Sequence, residues 1–141
     1  MPSYLADINV WVAVTHQAHV HHAAARQWFH GLGPDQAFLC RFTQMGLLRL
    51  LTNRHVIGTH VKSQTEAWGV LDHLGRNRRV QYIDEPAGVT ELFRRLTQGQ
   101  LPANKAWSDA YLAAVALRSG LHVATFDRDF LALGVPALLV A

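Results

Sequence analysis

The stretch Val123-Ala124-Thr125-Phe126-Asp127-Arg128-Asp129-Phe130 decides the fold that this sequence predicts. It begins as a short apolar strand and ends abruptly in two acidic residues, Asp127 and Asp129. Apolar strands of this kind are typical of parallel sheets that are buried on both faces. In open α/β sheets, ligands bind outside the carboxyl ends of the strands. The two aspartates therefore lie where a functional site is expected.

Two further acids, Asp7 and Asp109, also lie where a predicted strand ends or a helix begins. A first strand at residues 3–6 runs directly into Asp7, and Asp109 lies at the start of an apolar helix that leads back into the 123–126 strand. In a doubly wound sheet, the ends of strands one and four and the start of this helix share one edge. Three or four carboxylates are therefore expected to occupy a small volume.

Each acid also has a plain structural explanation when it is taken alone. Asp7 can cap the following helix, Asp109 can satisfy a helix dipole, and Asp127 with Asp129 can form an Asx-turn. As a group the acids need more, because two unit charges about 4 Å apart repel by about 4 kcal/mol at an effective dielectric constant of 20. A divalent cation would remove that repulsion, and all-oxygen ligands favour Mg²⁺ or Mn²⁺.

Short strands and helices alternate along the whole chain, with short links between them. This pattern predicts a single domain over residues 1–141, with a three-layer α/β/α fold and a mainly parallel central sheet. Ser63 followed by Glu66 predicts a capping box, and Asn53 is a candidate C-cap. The predicted strands are 3–6, 37–40, 80–83, 122–126 and 137–140, the predicted helices are 9–16, 19–31, 43–53, 63–75, 87–98 and 107–119, residues 100–104 form a loop, and 127–133 is a turn or short helix.

Composition excludes several classes of protein. No run of about 18 apolar residues exists, so we expect no transmembrane helix, and the N-terminus has no pattern of a secretion signal. Cys40 is the only cysteine, which excludes an internal disulfide and predicts a cytoplasmic protein. The net charge of +3 is compatible with an anionic partner such as RNA. No Walker sequence or GxGxxG is present to indicate a nucleotide cofactor.

Four segments carry a resemblance to a known family. The front segment Leu5-Ala6-Asp7-Ile8-Asn9 resembles the opening of PIN-domain ribonucleases. The segment Trp107-Ser108-Asp109-Ala110-Tyr111-Leu112-Ala113-Ala114 resembles their central helix, and residues 123–130 resemble their Thr-x-Asp-x-Asp-Phe segment. Leu48-Arg49-Leu50-Leu51-Thr52-Asn53 resembles a run that is common in mycobacterial VapC toxins.

The resemblance implies a Mg²⁺-dependent endoribonuclease, the toxin of a VapBC toxin–antitoxin pair. It also implies a small antitoxin partner and a homodimer of the toxin. The site residues that it implies are Asp7, Asp109 and Asp127 as metal ligands (Asp127 completing the set), Asp129 as a neighbouring acid, and Asn9 and Thr125 as polar supports.

The sequence departs from the family at one position. The family usually has a Glu three residues before the Arg of the Leu-Arg run, and that position is Gly46 here. Gln44 is the nearest polar candidate and would reach the site only after a shift in register. Without that glutamate the site carries less negative charge than the family site. The chain could therefore also be a catalytically weak module that binds RNA or a partner without cutting RNA. A receiver-type signalling domain is disfavoured, because Ile8 follows Asp7 and the only lysines, Lys62 and Lys105, are misplaced for it.

Overall fold

The computed structural model of the chain describes residues 1–99 and 103–141, so the predicted loop at 100–104 falls partly outside the described residues. Five strands form one sheet in the order β3-β2-β1-β4-β5, and every pairing in it is parallel. The predicted parallel sheet is confirmed. The strands are β1 (Tyr4–Ala6), β2 (Ala37–Leu39), β3 (Val80–Tyr82), β4 (His122–Thr125) and β5 (Ala137–Leu139).

Helices cover both faces of this sheet. Neighbouring strand residues alternate between two buried cores: Leu5 and Val123 belong to one core, and Ala6 and Ala124 belong to the other. This alternation follows from the two-residue period of a strand and confirms the three-layer α/β/α architecture. The helices are α1 (Ile8–Thr15), α2 (His22–His30), α3 (Arg41–Leu51), α4 (Arg54–Ile57), α5 (Gln64–Gly75), α6 (Val89–Leu96) and α7 (Ala106–Arg118), with 3₁₀ turns at Gly58–His60 and Arg128–Leu133.

Helix α7 packs closely on the sheet because its inner face is made of small residues. Ala110, Ala113 and Ala114 are completely buried. At the carboxyl edge of the sheet, the Asp7 amide donates to the Ala124 carbonyl at 2.8 Å, which ties the end of β1 to the end of β4. Together these contacts bring the acid at the end of β1, the segment after β4 and the start of α7 to one edge.

Local capping agrees with the sequence at one helix and differs at another. The capping box of α5 is present: the Ser63 amide donates to Glu66 Oε1 at 2.9 Å, and the Glu66 amide donates to Ser63 Oγ at 3.1 Å. The prediction that Asn53 caps the C-terminus of α3 is wrong. Helix α3 already ends at Leu51, and Asn53 instead accepts from the His55 amide at 2.9 Å and caps the N-terminus of α4. An asparagine side chain satisfies free amides at a helix start, which makes this the better use of the residue.

Within the described ranges, no helix combines the length and the apolar character needed to cross a membrane.

Candidate functional site

A shallow depression of about 210 Å³ lies at the carboxyl edge of the sheet. It contains the three carboxylates predicted as metal ligands, which come from three separate elements: Asp7 from the end of β1, Asp109 from the first turn of α7, and Asp127 from the segment after β4. The fold therefore brings together acids that are up to 120 positions apart in the chain. The other lining residues are Ile8, Asn9, Phe42, Leu50, Lys105 and Ser108.

Asp7 uses its two carboxylate oxygens for different tasks. Oδ1 accepts from the Ile8 amide at 2.8 Å and caps α1, while Oδ2 accepts from the buried Thr125 hydroxyl at 3.1 Å. Burial raises the pKa of Asp7 above its usual value, the hydrogen bonds from Ile8 and Thr125 oppose that rise, and the negative charges of Asp109 and Asp127 add to it. The ionised form of Asp7 is therefore disfavoured relative to that of a free aspartate.

Thr125 connects Asp7 to the segment that follows β4. Its oxygen donates to Asp7 and also accepts from the Asp127 amide at 3.0 Å. The Asp129 amide in turn donates to Asp127 Oδ1 at 2.9 Å, which is the predicted Asx-turn. The turn leaves Asp127 Oδ2 facing Lys105, and places the Asp129 side chain, which is 76% exposed, at the rim.

Lys105 lies among these acids. Its ammonium nitrogen contacts Oδ2 of Asp127, lies 3.2 Å from Oδ2 of Asp109, and lies 3.3 Å from Oδ2 of Asp129. The hydrogen bond to Asp127 is the largest cause that raises the pKa of Lys105, and the same bond lowers the pKa of Asp127. No role in the site was expected for Lys105, although its i,i+4 spacing from Asp109 on one helix was a sequence signal for this ion pair.

The donor set suits a hard divalent cation, because every acidic ligand is a carboxylate oxygen. The position of the Lys105 ammonium shows where the cluster stabilises positive charge. In residues 1–99 and 103–141, no three acidic, histidine or cysteine side chains already stand at the spacing that a bound metal requires. Lys105 Nζ lies 3.2 Å from Asp109 Oδ2, which is farther than the 2.0–2.1 Å of a Mg²⁺ ligand. The Asp109 carboxylate would therefore have to move inward to hold a metal ion in the shared depression.

Two other predicted site residues lie at or beyond the margin of the cluster. Asn9 lines the depression with an exposed side chain. Gln44 is not brought to the acids: its Oε1 accepts from Arg41 Nη1 at 2.5 Å and from the Tyr82 hydroxyl at 2.9 Å. It lines a separate depression beside Trp68. The suggested substitution of Gln44 for the family glutamate is therefore not supported by its position.

A steric contact with Ile8 explains why position 46, where the family usually has a glutamate, is occupied by glycine. A Cβ atom added to Gly46 would lie 2.2 Å from Cδ1 and 2.6 Å from Cγ1 of Ile8. Such distances are far below van der Waals contact, and the β-branched Ile8 has few rotamers with which to move away. The Ile8 side chain thus takes the space that a side chain at position 46 would need.

Comparisons with known proteins agree with this geometry. The family model for the PIN domain matches residues 4–136. Ribonuclease VapC41 of Mycobacterium tuberculosis is 41% identical over 131 residues, which cover 89% of this chain and 90% of that protein. Ribonuclease VapC38 of the same species is 27% identical, over 87% of this chain and 84% of that protein.

Solved structures show the same fold at low sequence identity. The crystal structure of M. tuberculosis VapC20, described as a sarcin-ricin loop cleaving toxin, has a TM-score of 0.69 at 18% identity and covers 94% of this chain and 96% of its own. FitAcB from Neisseria gonorrhoeae has a TM-score of 0.62 at 21% identity and covers 97% of both chains. With the family match over residues 4–136 and the 41% identity to VapC41, the chain belongs to the PIN-domain family and, within it, to the VapC ribonucleases.

Proposed function

We propose that this chain is an endoribonuclease that hydrolyses RNA phosphodiester bonds at the cluster of Asp7, Asp109 and Asp127, and that it is the toxin of a toxin–antitoxin pair. One observation carries the proposal: three carboxylates from three separate elements line a single depression in a chain whose relatives are ribonucleases. Ionised carboxylates that lie this close together raise the free energy of the fold unless a cation neutralises them.

Mg²⁺ or Mn²⁺ is the proposed cofactor, and Asp7, Asp109 and Asp127 are its proposed ligands. When bound, such an ion lowers the pKa of a water molecule and neutralises charge on the scissile phosphate. The chain's own residues prepare the ligands. The Thr125 hydroxyl fixes the rotamer of Asp7, and the Asx-turn with Asp129 fixes that of Asp127. Asn9 is exposed at the rim and would contact the substrate rather than the half-buried carboxylate of Asp7.

The shape of the site suits a polymer better than a small molecule. A depression of about 210 Å³ is smaller than the roughly 300–1,000 Å³ of pockets that enclose drug-sized ligands. It accommodates the phosphodiester group of a strand that crosses the surface. The exposed Arg128 directly follows Asp127, and Arg41 begins α3 over the ring of Tyr82, so both can position the strand through its phosphates.

Cleavage of single-stranded RNA in the presence of Mg²⁺ tests the proposal. We expect Asp7→Asn and Asp109→Asn each to lower the cleavage rate by about 100-fold or more, since each removes charge needed at the reaction centre. Asp72→Asn is the matched control, because Asp72 is exposed on α5 and outside the depression. Cleavage that continues unchanged in both site variants would contradict the assignment.

The proposed partners are a small antitoxin and a second copy of the chain, and the proposed location is the cytoplasm. A contiguous surface that includes Met45, Trp68 and Tyr82 is 42–53% exposed at these residues, which is the kind of apolar area that protein partners cover.

Expression of the chain alone is expected to arrest growth, whereas expression of the Asp109→Asn variant is expected not to. Sedimentation velocity of the purified protein measures the proposed dimer.

A second candidate function follows from Gly46 and Lys105. The site has no acid at position 46, and an ammonium group already neutralises part of its charge. A PIN module with weak metal binding would hold RNA or a partner without cutting it. RNA binding that persists with no Asp109-dependent cleavage at any Mg²⁺ concentration would favour this alternative.

A further inference from the structure

We propose that the ammonium group of Lys105 is a built-in counter-cation of the acidic cluster, which a divalent metal must displace, so that Lys105 sets the metal affinity of the site. The inference rests on the proposed function, because it assumes that the metal binds at Asp109 and Asp127. It adds a residue for which the family resemblance implies no role.

The position of Lys105 is fixed by the fold. Lys105 is the N-cap residue of α7 and lies one turn before Asp109 on the same helix. The short Asx-turn after β4 brings Asp127 and Asp129 to the other side of the ammonium nitrogen. Three carboxylate oxygens from two elements therefore converge on one nitrogen atom.

The ammonium and a divalent metal compete for the same atoms. Oδ2 of Asp109 and Oδ2 of Asp127 are the oxygens that Lys105 contacts, and both carboxylates are proposed metal ligands. The 3.2 Å between Lys105 Nζ and Asp109 Oδ2 suits an N–H···O bond, whereas Mg²⁺ requires its oxygens at about 2.0–2.1 Å. Like charges also repel, so the two cations do not occupy the cluster together. Metal binding thus requires that Lys105 leave and that the Asp109 carboxylate move inward.

Lys105 is able to leave, because its side chain is 57% exposed. A lysine side chain has four flexible carbons and a strongly hydrated head, so it can turn into solvent without breaking the core. The Asp7 carboxylate stays in place during this change, since Ile8 and Thr125 hold it independently of Lys105. Displacement of one side chain is therefore enough to free the ligands.

The test is Mn²⁺ binding to the metal-free protein, measured by isothermal titration calorimetry. We expect Lys105→Met, which keeps the length of the side chain and removes its charge, to bind Mn²⁺ at least about tenfold more tightly than the wild type. Lys105→Arg keeps the charge and is expected to bind within about threefold of the wild type. Lys62→Met is the matched control at the other lysine, outside the acidic depression, and is expected to leave the affinity unchanged.

A second readout is stability without metal. We expect Lys105→Met to lower the urea midpoint of the metal-free protein, because the carboxylates then repel without compensation, and we expect the difference to disappear in saturating Mn²⁺. Equal or weaker Mn²⁺ binding by Lys105→Met would overturn the proposal.

The variant Asp109→Asn separates this failure from failure of the proposed function. If the wild type binds Mn²⁺ in an Asp109-dependent way and cuts RNA, the proposed function stands whatever Lys105→Met does. If neither the wild type nor Lys105→Met shows Asp109-dependent binding, the metal site itself is refuted, and the role of Lys105 with it.

Discussion

At the scale of single residues, Asp7 shows how one side chain can stabilise the fold and also belong to the proposed site. One oxygen caps α1 and the other accepts from Thr125, so the structural explanation of this acid is compatible with the proposed functional one. The same is true of Asp127, whose Oδ1 closes a turn while Oδ2 contacts Lys105. Because a carboxylate has two oxygens, one can make a cap or a turn while the other faces the proposed site. A structural role for an aspartate therefore does not exclude a functional role for it.

The charge of Asp7 is expected to reduce the stability of the metal-free protein. Asp7→Asn should therefore raise the free energy of unfolding at pH 7, even though it removes cleavage. The pKa of Asp7 is higher in the folded than in the unfolded chain, so the unfolded chain releases this proton first as the pH rises. The wild type should lose stability as the pH rises from the ordinary carboxyl range through the raised pKa of Asp7, and Asp7→Asn should not.

Urea unfolding at several pH values without metal measures this difference, with the exposed Asp72→Asn as the control. An Asp7→Asn variant that is less stable than the wild type at pH 7 would show that the negative charge on Asp7 is already compensated in the metal-free fold.

The contact between Gly46 and Ile8 predicts opposite effects for two similar substitutions. Gly46→Ala should destabilise the protein by about 1–3 kcal/mol, because the new methyl group overlaps Ile8. Gly69→Ala is the matched control in α5, where an added Cβ meets nothing within 4 Å, and it should stabilise by about 0.5–1 kcal/mol through helix propensity.

A double-mutant cycle isolates the contact. Ile8→Ala removes all three side-chain atoms that a Cβ at position 46 would approach, so Gly46→Ala should cost much less in that background. Chemical denaturation of the four proteins measures the coupling, and additive effects would argue against a direct clash.

At the scale of elements, the start of each helix decides where the chain turns away from the sheet. The N-cap residue of α1 is Asp7, the acid that follows β1, and the N-cap residue of α7 is Lys105, which contacts the acid after β4. Helix α5 begins at a capping box that the sequence predicted, because Ser63 and Glu66 need only each other's backbone amides. Helix caps whose partners are all close in sequence can therefore be predicted from the sequence.

Ser63→Ala should lower the free energy of unfolding by about 1 kcal/mol, since it leaves the Glu66 amide without its side-chain acceptor. Ser119→Ala is the control, because Ser119 follows the last residue of α7 and caps it through its backbone N–H rather than through its side chain. Thermal or urea unfolding measures both variants. Equal losses for the two serines would mean that the capping box does not stabilise α5.

At the scale of the whole molecule, the parallel order of β1 and β4 at the centre of the sheet is what gathers the acids. Ala6, the last residue of β1, pairs with Ala124, one residue before the end of β4, so the residues that follow both strands lie at one edge. The Asp7 amide extends this pairing through its bond to the Ala124 carbonyl. The site therefore exists only when the sheet is formed, and the stability of the fold and the binding of a ligand at the site are linked.

This linkage predicts that metal stabilises the folded chain. Mn²⁺ at one hundred times its dissociation constant should raise the free energy of unfolding by about 2.7 kcal/mol, and removal with EDTA should reverse the gain. Asp109→Asn should abolish the effect, and the exposed Asp72→Asn should retain it. Thermal unfolding with and without Mn²⁺ measures the shift. A shift of the same size in Asp109→Asn would place the bound ion elsewhere.

Much of this molecule was predictable from its sequence because the signals were local. Apolar strands that end in acids, helices with apolar periods and the Ser63–Glu66 box each depend on neighbours within one or two turns. The central sheet, its parallel strands and the convergence of Asp7, Asp109 and Asp127 on one depression follow from that pattern. Asn53 was misassigned because its preference for helix caps does not say which of two helices it caps.

The sequence by itself determined the three layers, the edge of the sheet at which the acids meet and the family to which the chain belongs. These features follow from the hydrophobic periodicity and the order of the motifs, which are properties of the sequence alone. Only the tertiary structure decided the contents of the site: that Lys105 stands among the carboxylates, that Gln44 turns to Tyr82 instead, and that Ile8 fills the space at Gly46. The contacts of Gln44 and Ile8, and those of Lys105 with Asp127 and Asp129, join side chains from separate segments and leave no periodic or local trace in a single chain. Only the pair of Lys105 with Asp109 has a local signal, its i,i+4 spacing.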